Sequence, residues 1–271
     1  LYYYCANHAS MGGTANTPTE TSTTSMRYKV QTKNQSYTAG VGAYQDHSSS
    51  SHTVTATGNA TASTTQKKFG THSVSFDGSG DKLEIASSSD FNPYNINFTV
   101  DFWINVNSFA HAYDWIIGTT SADFNGWNIQ TEQSGGRINM LVGNGSSWNI
   151  NTAGGSGYAI NTGTWYHIAL VKNGSAWTMY VDGTSRLTGT SATHNYTSNL
   201  EIGNCAIWSG RDFDGYLDEV RISNTARYTS AFTPSTTAFT SDSNTKLLIH
   251  GEVGAASGKI TRVHGTSLAW K

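Results

Sequence analysis

The alternation of apolar and polar side chains over residues 98–106 constrains the fold of this chain more than any other feature of its sequence. Successive side chains of a β-strand point to opposite faces, so an alternating segment buries one face and turns the other outward. The residues that would share the buried face are Phe98, Val100, Phe102, Ile104 and Val106. Strand-like segments, separated by turn residues every ~8–12 positions, continue from residue 44 to residue 250, a spacing typical of an all-β sandwich.

Two pairs of neighbouring strand segments predict hairpins, because a short glycine-containing loop separates the members of each pair. The first pair is residues 72–76 and 82–85, and the second is residues 165–171 and 177–181. The members of each pair should therefore lie side by side in one sheet.

The composition of the chain divides it into three regions. Residues 1–43 contain a short aromatic segment followed by a passage rich in Thr, Ser and Asn, and we interpret them as the remnant of a preceding β-domain plus a linker. Residues 44–250 carry the strand pattern and form the predicted sandwich. Residues 251–271 are predicted to be a C-terminal extension.

The charge of the chain argues against two classes of partner. Charged residues make up 13% of the 271 positions and the formal net charge is −2, so the chain has no positive field with which to hold nucleic acid or an anionic membrane. No apolar run in the sequence reaches the roughly 18 residues that a membrane-spanning helix needs. We therefore expect neither nucleic-acid binding nor membrane insertion.

Five strand segments follow one another along the chain: residues 69–78, 98–103, 164–171, 180–183 and 213–223. In this order they resemble the laminin G-like branch of the concanavalin A-like lectin/glucanase superfamily. The resemblance covers residues 44–250 and implies a jelly-roll sandwich of two antiparallel sheets. It also implies a binding or structural module that is secreted or lies on the surface of a virion.

The closing part of the predicted sandwich narrows the resemblance. Residues 224–228, 232–234 and 247–251 are similar to the variant common in tail, fibre and decoration proteins of marine tailed bacteriophages. That variant implies a virion-surface protein whose partners are glycans or other virion proteins. A carbohydrate-binding module of a secreted cellular protein is the alternative. A homo-oligomer also stays open, because nothing in the sequence encodes symmetry.

Residues 1–13 resemble the end of a cupredoxin-like domain. Cys5, His8 and Met11 have the C-x2-H-x2-M spacing with which cupredoxins hold copper through a thiolate, an imidazole and a weak thioether. Such a site also needs a histidine from an earlier strand, and no such strand precedes Leu1 in this sequence. We therefore expect this chain alone not to bind copper and interpret the segment as structural.

The acidic residues indicate whether the chain is a glycan hydrolase. Hydrolases of the superfamily carry E-x-D-x-E patterns on one strand, because a retaining glycosidase needs two carboxyl groups about 5 Å apart. None of the six glutamates begins such a pattern. Asp212 and Asp214 have the spacing, but Gly210 and Gly215 flank them and predict turns. We predict that the chain is not an enzyme and keep hydrolysis as the weakest alternative.

The glycine-rich segment 77–81 is a candidate calcium site. Ca²⁺ prefers six to eight hard oxygen ligands, and a loop between strands supplies carboxylates together with backbone carbonyls. Asp77 and Asp81 begin and end the segment, and Asp218 would reach it from a neighbouring strand. The alternative is that the loop aspartates only form Asx-turns around the glycines.

Four tryptophans are candidate sugar-stacking rings because they lie beside Gly, Asn, Ser or Asp. They are Trp115, Trp127, Trp148 and Trp208, and the neighbouring amides that would bond to sugar hydroxyls are Asn125 and Asn149. Packing in the core is the alternative, because large aromatic rings are mostly buried. The remaining strand tryptophans Trp103, Trp165 and Trp177 are predicted to belong to the core.

Overall fold

A computed structural model of the chain describes residues 2–3, 13–14, 44–119 and 124–252. Contacts divide the chain into two compact units, Leu1–Thr38 and Ala39–Lys271. The described part of the first unit is a short antiparallel pair, β1 (Tyr2–Tyr3) with β2 (Gly13–Thr14). The predicted copper-like motif of Cys5, His8 and Met11 lies outside the described residues.

The second unit contains two antiparallel sheets of eight strands each. Sheet I consists of β3 (Val54–Thr57), β6 (Lys82–Ile85), β8 (Tyr113–Gly118), β9 (Trp127–Glu132), β10 (Arg137–Gly143), β11 (Trp148–Asn151), β12 (Tyr158–Ala159) and β16 (Leu200–Ile202). Its strand order is β11-β10-β9-β8-β16-β6-β3, with β12 paired to β10.

Sheet II covers the other side of the core. It consists of β4 (Thr61–Ser63), β5 (Ser73–Asp77), β7 (Phe98–Ser108), β13 (Trp165–Asn173), β14 (Ala176–Val181), β15 (Thr184–Thr190), β17 (Asp214–Ser223) and β18 (Thr245–Ile249). Its strand order is β15-β14-β13-β7-β17-β5-β4, with β18 paired to β17. A 3₁₀ turn at Ser89–Phe91 precedes β7. Among the described residues no helix has the length and apolar character that crossing a membrane requires.

The main core lies between the sheets and follows the predicted alternation. The five apolar residues of β7 that share one face are each at most 1% exposed and belong to one cluster with Ile117, Ile129 and Met140 of sheet I. Burial of each such side chain stabilises the fold by about 1.5–3 kcal/mol relative to exposure. The predicted all-β jelly-roll sandwich of two antiparallel sheets is confirmed.

One of the two predicted hairpins is confirmed and the other is wrong. Strands β13 and β14 pair with each other, as predicted. Strands β5 and β6 do not, because β5 pairs with β4 and β17 in sheet II whereas β6 pairs with β3 and β16 in sheet I. Phe76 of β5 and Leu83 of β6 bury their side chains in the same core from opposite sheets. The glycine-rich loop therefore carries the chain from one sheet to the other.

The strand tryptophans of sheet II divide between two locations. Trp177 lies in the main core, as predicted. Trp103 is buried, but on the outer face of the sheet, where it packs with Phe239 and Leu248. Trp165 is only partly buried beside that outer cluster, so the prediction that it belongs to the core is wrong.

Candidate functional site

The outer face of sheet I carries a row of buried polar side chains. In β9, Trp127 and Ile129 point into the core, so Asn128, Gln130 and Glu132 point outward. These three outward residues are nevertheless at most 5% exposed. Because an outward polar residue is normally solvated, other segments must cover this face.

One of these covering segments is the loop of residues 203–213, here called the covering loop. Two of its backbone groups bond to sheet I, and a third bond closes the loop on itself. Trp115 N donates to Arg211 O at 2.7 Å, and Ala206 N donates to the Glu201 carboxylate at 3.2 and 3.1 Å. Phe213 N closes the loop by donating to Gly203 O at 2.9 Å. The covering loop is thus held at both ends and near its middle.

Three aromatic rings meet above this face, and we call Phe124, Trp148 and Trp208 the aromatic platform. The ring centroids of Trp148 and Trp208 are 6.3 Å apart, and those of Phe124 and Trp148 are 5.7 Å apart. Phe124 is 42% exposed, and both tryptophans are partly exposed. Trp115 lies below Trp208 at 5.9 Å and is fully buried. Segments distant in sequence therefore build one apolar surface that reaches solvent.

A cation borders the aromatic platform. The Arg211 guanidinium carbon lies 5.1 Å from the Trp208 ring centroid and 4.9 Å from that of Tyr113. Its Nη1 donates to Gln130 Oε1 at 3.1 Å. Arg211 is thereby fixed by cation–π contacts and by a hydrogen bond to the buried polar row, which orients its remaining N–H donors.

The two predicted amides adjoin the aromatic platform. Asn149 is exposed, and its Oδ1 accepts from Asn144 Nδ2 at 2.9 Å and from Ser147 Oγ at 3.0 Å. Asn125 is partly buried, and its Oδ1 faces Gly145, where an added Cβ would come within 3.2 Å. Gly145 has φ +88, a backbone conformation that favours glycine, and the approach of Asn125 leaves little room for a side chain.

Asn128 stands out in the buried polar row. It is 0% exposed, and neither its Oδ1 nor its Nδ2 has a hydrogen-bond partner among the described residues. A buried amide left without a partner costs about 1–3 kcal/mol, and such groups often serve a ligand or an ordered water. The sequence signal for this residue is its outward position in β9, which the prediction did not use.

For two of the four tryptophans, the prediction of a surface ring that stacks on a sugar is wrong. Trp115 and Trp127 are both 0% exposed. Trp115 Nε1 donates to Glu201 O at 3.0 Å, and Trp127 Nε1 donates to Phe91 O at 3.0 Å. Both residues lie within strands, where packing and an internal hydrogen bond satisfy the whole indole. Trp148 and Trp208 are the pair that the structure brings together at the surface.

The loop aspartates predicted to bind calcium bond to the backbone of their own region. Asp77 Oδ1 accepts from Ser79 N at 2.9 Å, and Asp81 Oδ2 accepts from Asp77 N at 2.9 Å. Asp81 Oδ1 also accepts from Asn59 N at 2.6 Å. Among residues 44–119 and 124–252, no group of three or more His, Cys, Asp or Glu side chains is arranged to hold a metal ion.

Asp218 does not join these loop aspartates. In β17 it is Asp214 that lies opposite Asp77, and four residues along a strand separate Asp218 from that position by about 13 Å. Its Oδ2 accepts from Lys68 N at 2.8 Å and from Phe69 N at 3.0 Å. Burial raises the pKa of Asp218 to about 6, although these backbone N–H groups oppose the shift. The prediction that Asp218 shares a site with Asp77 and Asp81 is wrong.

Comparison with protein families gives one match. The laminin G family model described as the concanavalin A-like lectin/glucanases superfamily matches residues 77–231. No curated protein matches the chain in sequence.

Solved structures share the fold at low sequence identity. Domain 4 of an extracellular GH43 arabinanase from Geobacillus stearothermophilus, in complex with arabinotriose, is 17% identical, with a TM-score of 0.51 over 69% of this chain and 95% of that chain. HCR/D-Sa-GBL1/C is 13% identical, with a TM-score of 0.51 over 68% of this chain and 48% of that one. The binding domain of botulinum neurotoxin DC in complex with SialylT is 13% identical, with a TM-score of 0.50 over 68% and 47%. The chain thus spans about half the length of the last two.

Proposed function

The chain belongs to the laminin G-like family of the concanavalin A-like lectin/glucanase superfamily, and we propose that it is a non-enzymatic module that binds a glycan on the aromatic platform. The observation that carries the proposal is the meeting of Phe124, Trp148 and Trp208 at the surface above a buried polar row. An arrangement of this kind, apolar with a few fixed polar groups, is the usual construction of a small-molecule site.

The chemistry of a sugar fits the groups around the platform. The C–H face of a pyranose or furanose ring is apolar and packs on an indole, while its hydroxyls need directed hydrogen bonds. Arg211 supplies N–H donors at one edge, and Asn149 supplies an exposed amide at another. On the same face of sheet I, Asn128 offers a donor and an acceptor that have no partner among the described residues, for a hydroxyl or a water.

Asp212 and Asp214, which have the spacing of a catalytic pair, both bond to neighbouring residues of the chain. Asp212 Oδ1 accepts from Gly80 N at 2.8 Å and from Asn204 Nδ2 at 2.6 Å. Asp214 accepts from Asn107 Nδ2 at 3.0 Å and from Ser108 Oγ at 2.6 Å. The bonds of Asp212 join two loops and those of Asp214 join β17 to β7, which supports a structural role for both carboxylates.

Two biological settings fit such a module. The first is a virion-surface protein of a tail, fibre or capsid decoration, which the resemblance of residues 224–251 to phage proteins supports. The second is a carbohydrate-binding module of a secreted cellular protein. The likeness of the fold to an arabinanase domain solved with arabinotriose favours the second setting.

Replacing Trp148 or Trp208 by alanine is expected to weaken glycan binding at least ~10-fold, because a central aromatic anchor commonly contributes more than ~1.4 kcal/mol to binding. A glycan array identifies ligands for the wild-type chain, and isothermal titration with the best of them measures the loss. Tyr94→Ala is the matched control, because Tyr94 is 43% exposed and has no contact with the platform rings. An array without any hit, or affinities unchanged in both tryptophan variants, would contradict the proposal.

Calcium binding at Asp77 and Asp81 stays a prediction. If the loop binds Ca²⁺ in the native state only, a 100-fold excess of the ion over its dissociation constant raises the melting temperature by about 5 °C. Thermal unfolding with EDTA and with added Ca²⁺ measures this shift. The shift should vanish in Asp77→Asn and persist in Asp218→Asn, because Asp218 lies away from the loop. Equal melting temperatures with and without Ca²⁺ would rule the site out.

A further inference from the structure

A groove lies on the outer face of sheet II, on the opposite side of the sandwich from the aromatic platform. Its volume is about 540 Å³, within the range of ligand sites in proteins. Its walls are formed by Lys68, Phe69, Trp103, Trp165, Asp182 and residues 234–236. The groove therefore collects side chains from five separate parts of the chain.

Aromatic rings form the floor of this groove. Trp103 is 5% exposed and meets the Phe69 ring edge-on, with centroids 5.9 Å apart and an interplanar angle of 83°. Trp165 is partly exposed beside them. The Lys68 ammonium lies 3.8 Å from the Trp103 ring centroid, so it already covers one ring face. This leaves Trp165 as the exposed indole on which a flat apolar ligand face can pack.

The polar groups of the groove are incompletely partnered. Among the described residues, the Lys68 ammonium contacts the rings of Phe69 and Trp103 and forms no ion pair or side-chain hydrogen bond. The indole Nε1 of Trp103 is buried, and no acceptor for it lies in the part of the chain that the structure describes. A buried N–H without an acceptor costs about 1–3 kcal/mol, so a ligand oxygen or a water at this position would stabilise the groove.

The opposite charge in the groove belongs to Asp182. Its Oδ1 accepts from His167 N at 2.8 Å, which fixes the carboxylate at the turn between β14 and β15. The residue itself is exposed. A carboxylate with free lone pairs is an acceptor for hydroxyl groups, whereas the Lys68 ammonium is a donor for an anion. The ligand must therefore offer an anionic group and hydroxyls on a body with an apolar face.

We propose that this groove is a second binding site, specific for an acidic sugar of the uronic acid class. The sugar carboxylate pairs with Lys68, and its hydroxyls donate to Asp182. The C–H face of the ring packs on Trp165, and the hydroxyls of Ser235 and Thr236 line the remaining wall. A neutral sugar would leave the Lys68 ammonium without an anion, so the charge selects the acidic ligand. The site is independent of the aromatic platform, since no residue is shared between them.

Isothermal titration of the whole chain with tetramers of galacturonate, glucuronate and mannuronate tests the proposal, with cellotetraose as the neutral probe. At least one uronate is expected to bind, more tightly at low salt than at high salt because the pair is charged. Lys68→Met and Trp165→Ala should each weaken that binding at least ~10-fold, and Lys68→Arg should retain most of it. Urea unfolding of each variant verifies that the fold is intact.

Trp148→Ala separates this proposal from the platform. It should leave uronate binding unchanged, because Trp148 lies on the other sheet. Failure of all three uronates to bind overturns the second site, and so does binding that Lys68→Met leaves unchanged. If Trp148→Ala lost uronate binding and Trp165→Ala kept it, the uronate would bind on the aromatic platform. That result would also overturn the second site.

Discussion

Replacing Arg221 by methionine is expected to lower the free energy of unfolding by about 3–5 kcal/mol, because it leaves a buried carboxylate without its cation. Asp101 is fully buried on the outer side of sheet II. Arg221 donates to it twice, from Nε at 3.0 Å and from Nη2 at 2.6 Å. Tyr228 donates a further hydrogen bond at 2.9 Å, which the variant retains. Urea unfolding at pH 7 measures the difference.

The pH dependence identifies the cause of this loss. Burial alone would raise the pKa of Asp101, but the His167 ring and the Arg221 guanidinium lower it to about 2. This folded-state pKa is below the unfolded value of about 3.9, so the ionised pair stabilises the fold above pH 4. That contribution disappears as the pH falls towards 2. The difference between wild type and Arg221→Met should therefore shrink over the same range.

Arg227→Met is the matched control for Arg221→Met. Arg227 also makes a two-point pair, with Asp242 at 3.0 and 2.8 Å, but the Asp242 side chain is 48% exposed. Exposed pairs contribute about 0–1 kcal/mol, so this variant should lose much less stability. If both variants lost the same free energy of unfolding, the burial of the Asp101–Arg221 pair would make no extra contribution to stability.

The sequence was sufficient to predict the layers of the fold because burial is a local property of each strand. In β7, the alternation alone predicts that the apolar residues at positions 98, 100, 102, 104 and 106 lie between the sheets. The structure places all five in the main core. Pairing between strands is not local. The segment 77–81 has the glycines of a hairpin, yet β5 and β6 belong to different sheets. Gly78 and Gly80 have φ +80 and +73, values that a hairpin turn would also use. The turn residues therefore do not distinguish a hairpin from a loop that crosses between sheets.

The candidate site could be predicted only in part. The neighbours of a tryptophan in sequence indicate a loop, but its exposure depends on what packs above it. Trp115 is buried because Trp208 of the covering loop lies over it, and that contact spans more than 90 positions of sequence. Phe124 and Arg211 were missed for the same reason, because their approach to Trp148 and Trp208 is a tertiary contact.

The groove on sheet II was beyond prediction for a related reason. Trp103 and Trp165 are predicted to belong to the core, but both lie at the outer cluster of sheet II. Strand β7 carries its main core residues at even positions, which places Trp103 on the opposite face. Strict use of the alternation would have shown this for Trp103. The approach of Lys68 to its ring depends on a loop 35 residues earlier and has no signature in the sequence.

Replacing Trp127 by alanine is expected to destabilise the fold by about 3–5 kcal/mol without any direct effect on the aromatic platform. Trp127 is 0% exposed and packs on Phe98, with ring centroids 5.3 Å apart. Alanine would leave a cavity between the sheets. It would also remove the indole N–H that donates to Phe91 O at 3.0 Å. Trp127→Phe retains most of the packing but removes the hydrogen bond and part of the indole volume, so about 1–3 kcal/mol should be lost.

The same measurement on Trp148→Ala separates a core tryptophan from a binding one. Trp148 is partly exposed at the end of β10 and β11, where its removal opens no cavity between the sheets, so we expect a loss below about 1 kcal/mol. Glycan affinity should change in the opposite order: it should fall at least ~10-fold in Trp148→Ala and be retained in the folded fraction of Trp127→Phe. If Trp127→Phe abolished binding while keeping its stability, the core tryptophan and not the platform would govern recognition, and the site would have to be sought between the sheets.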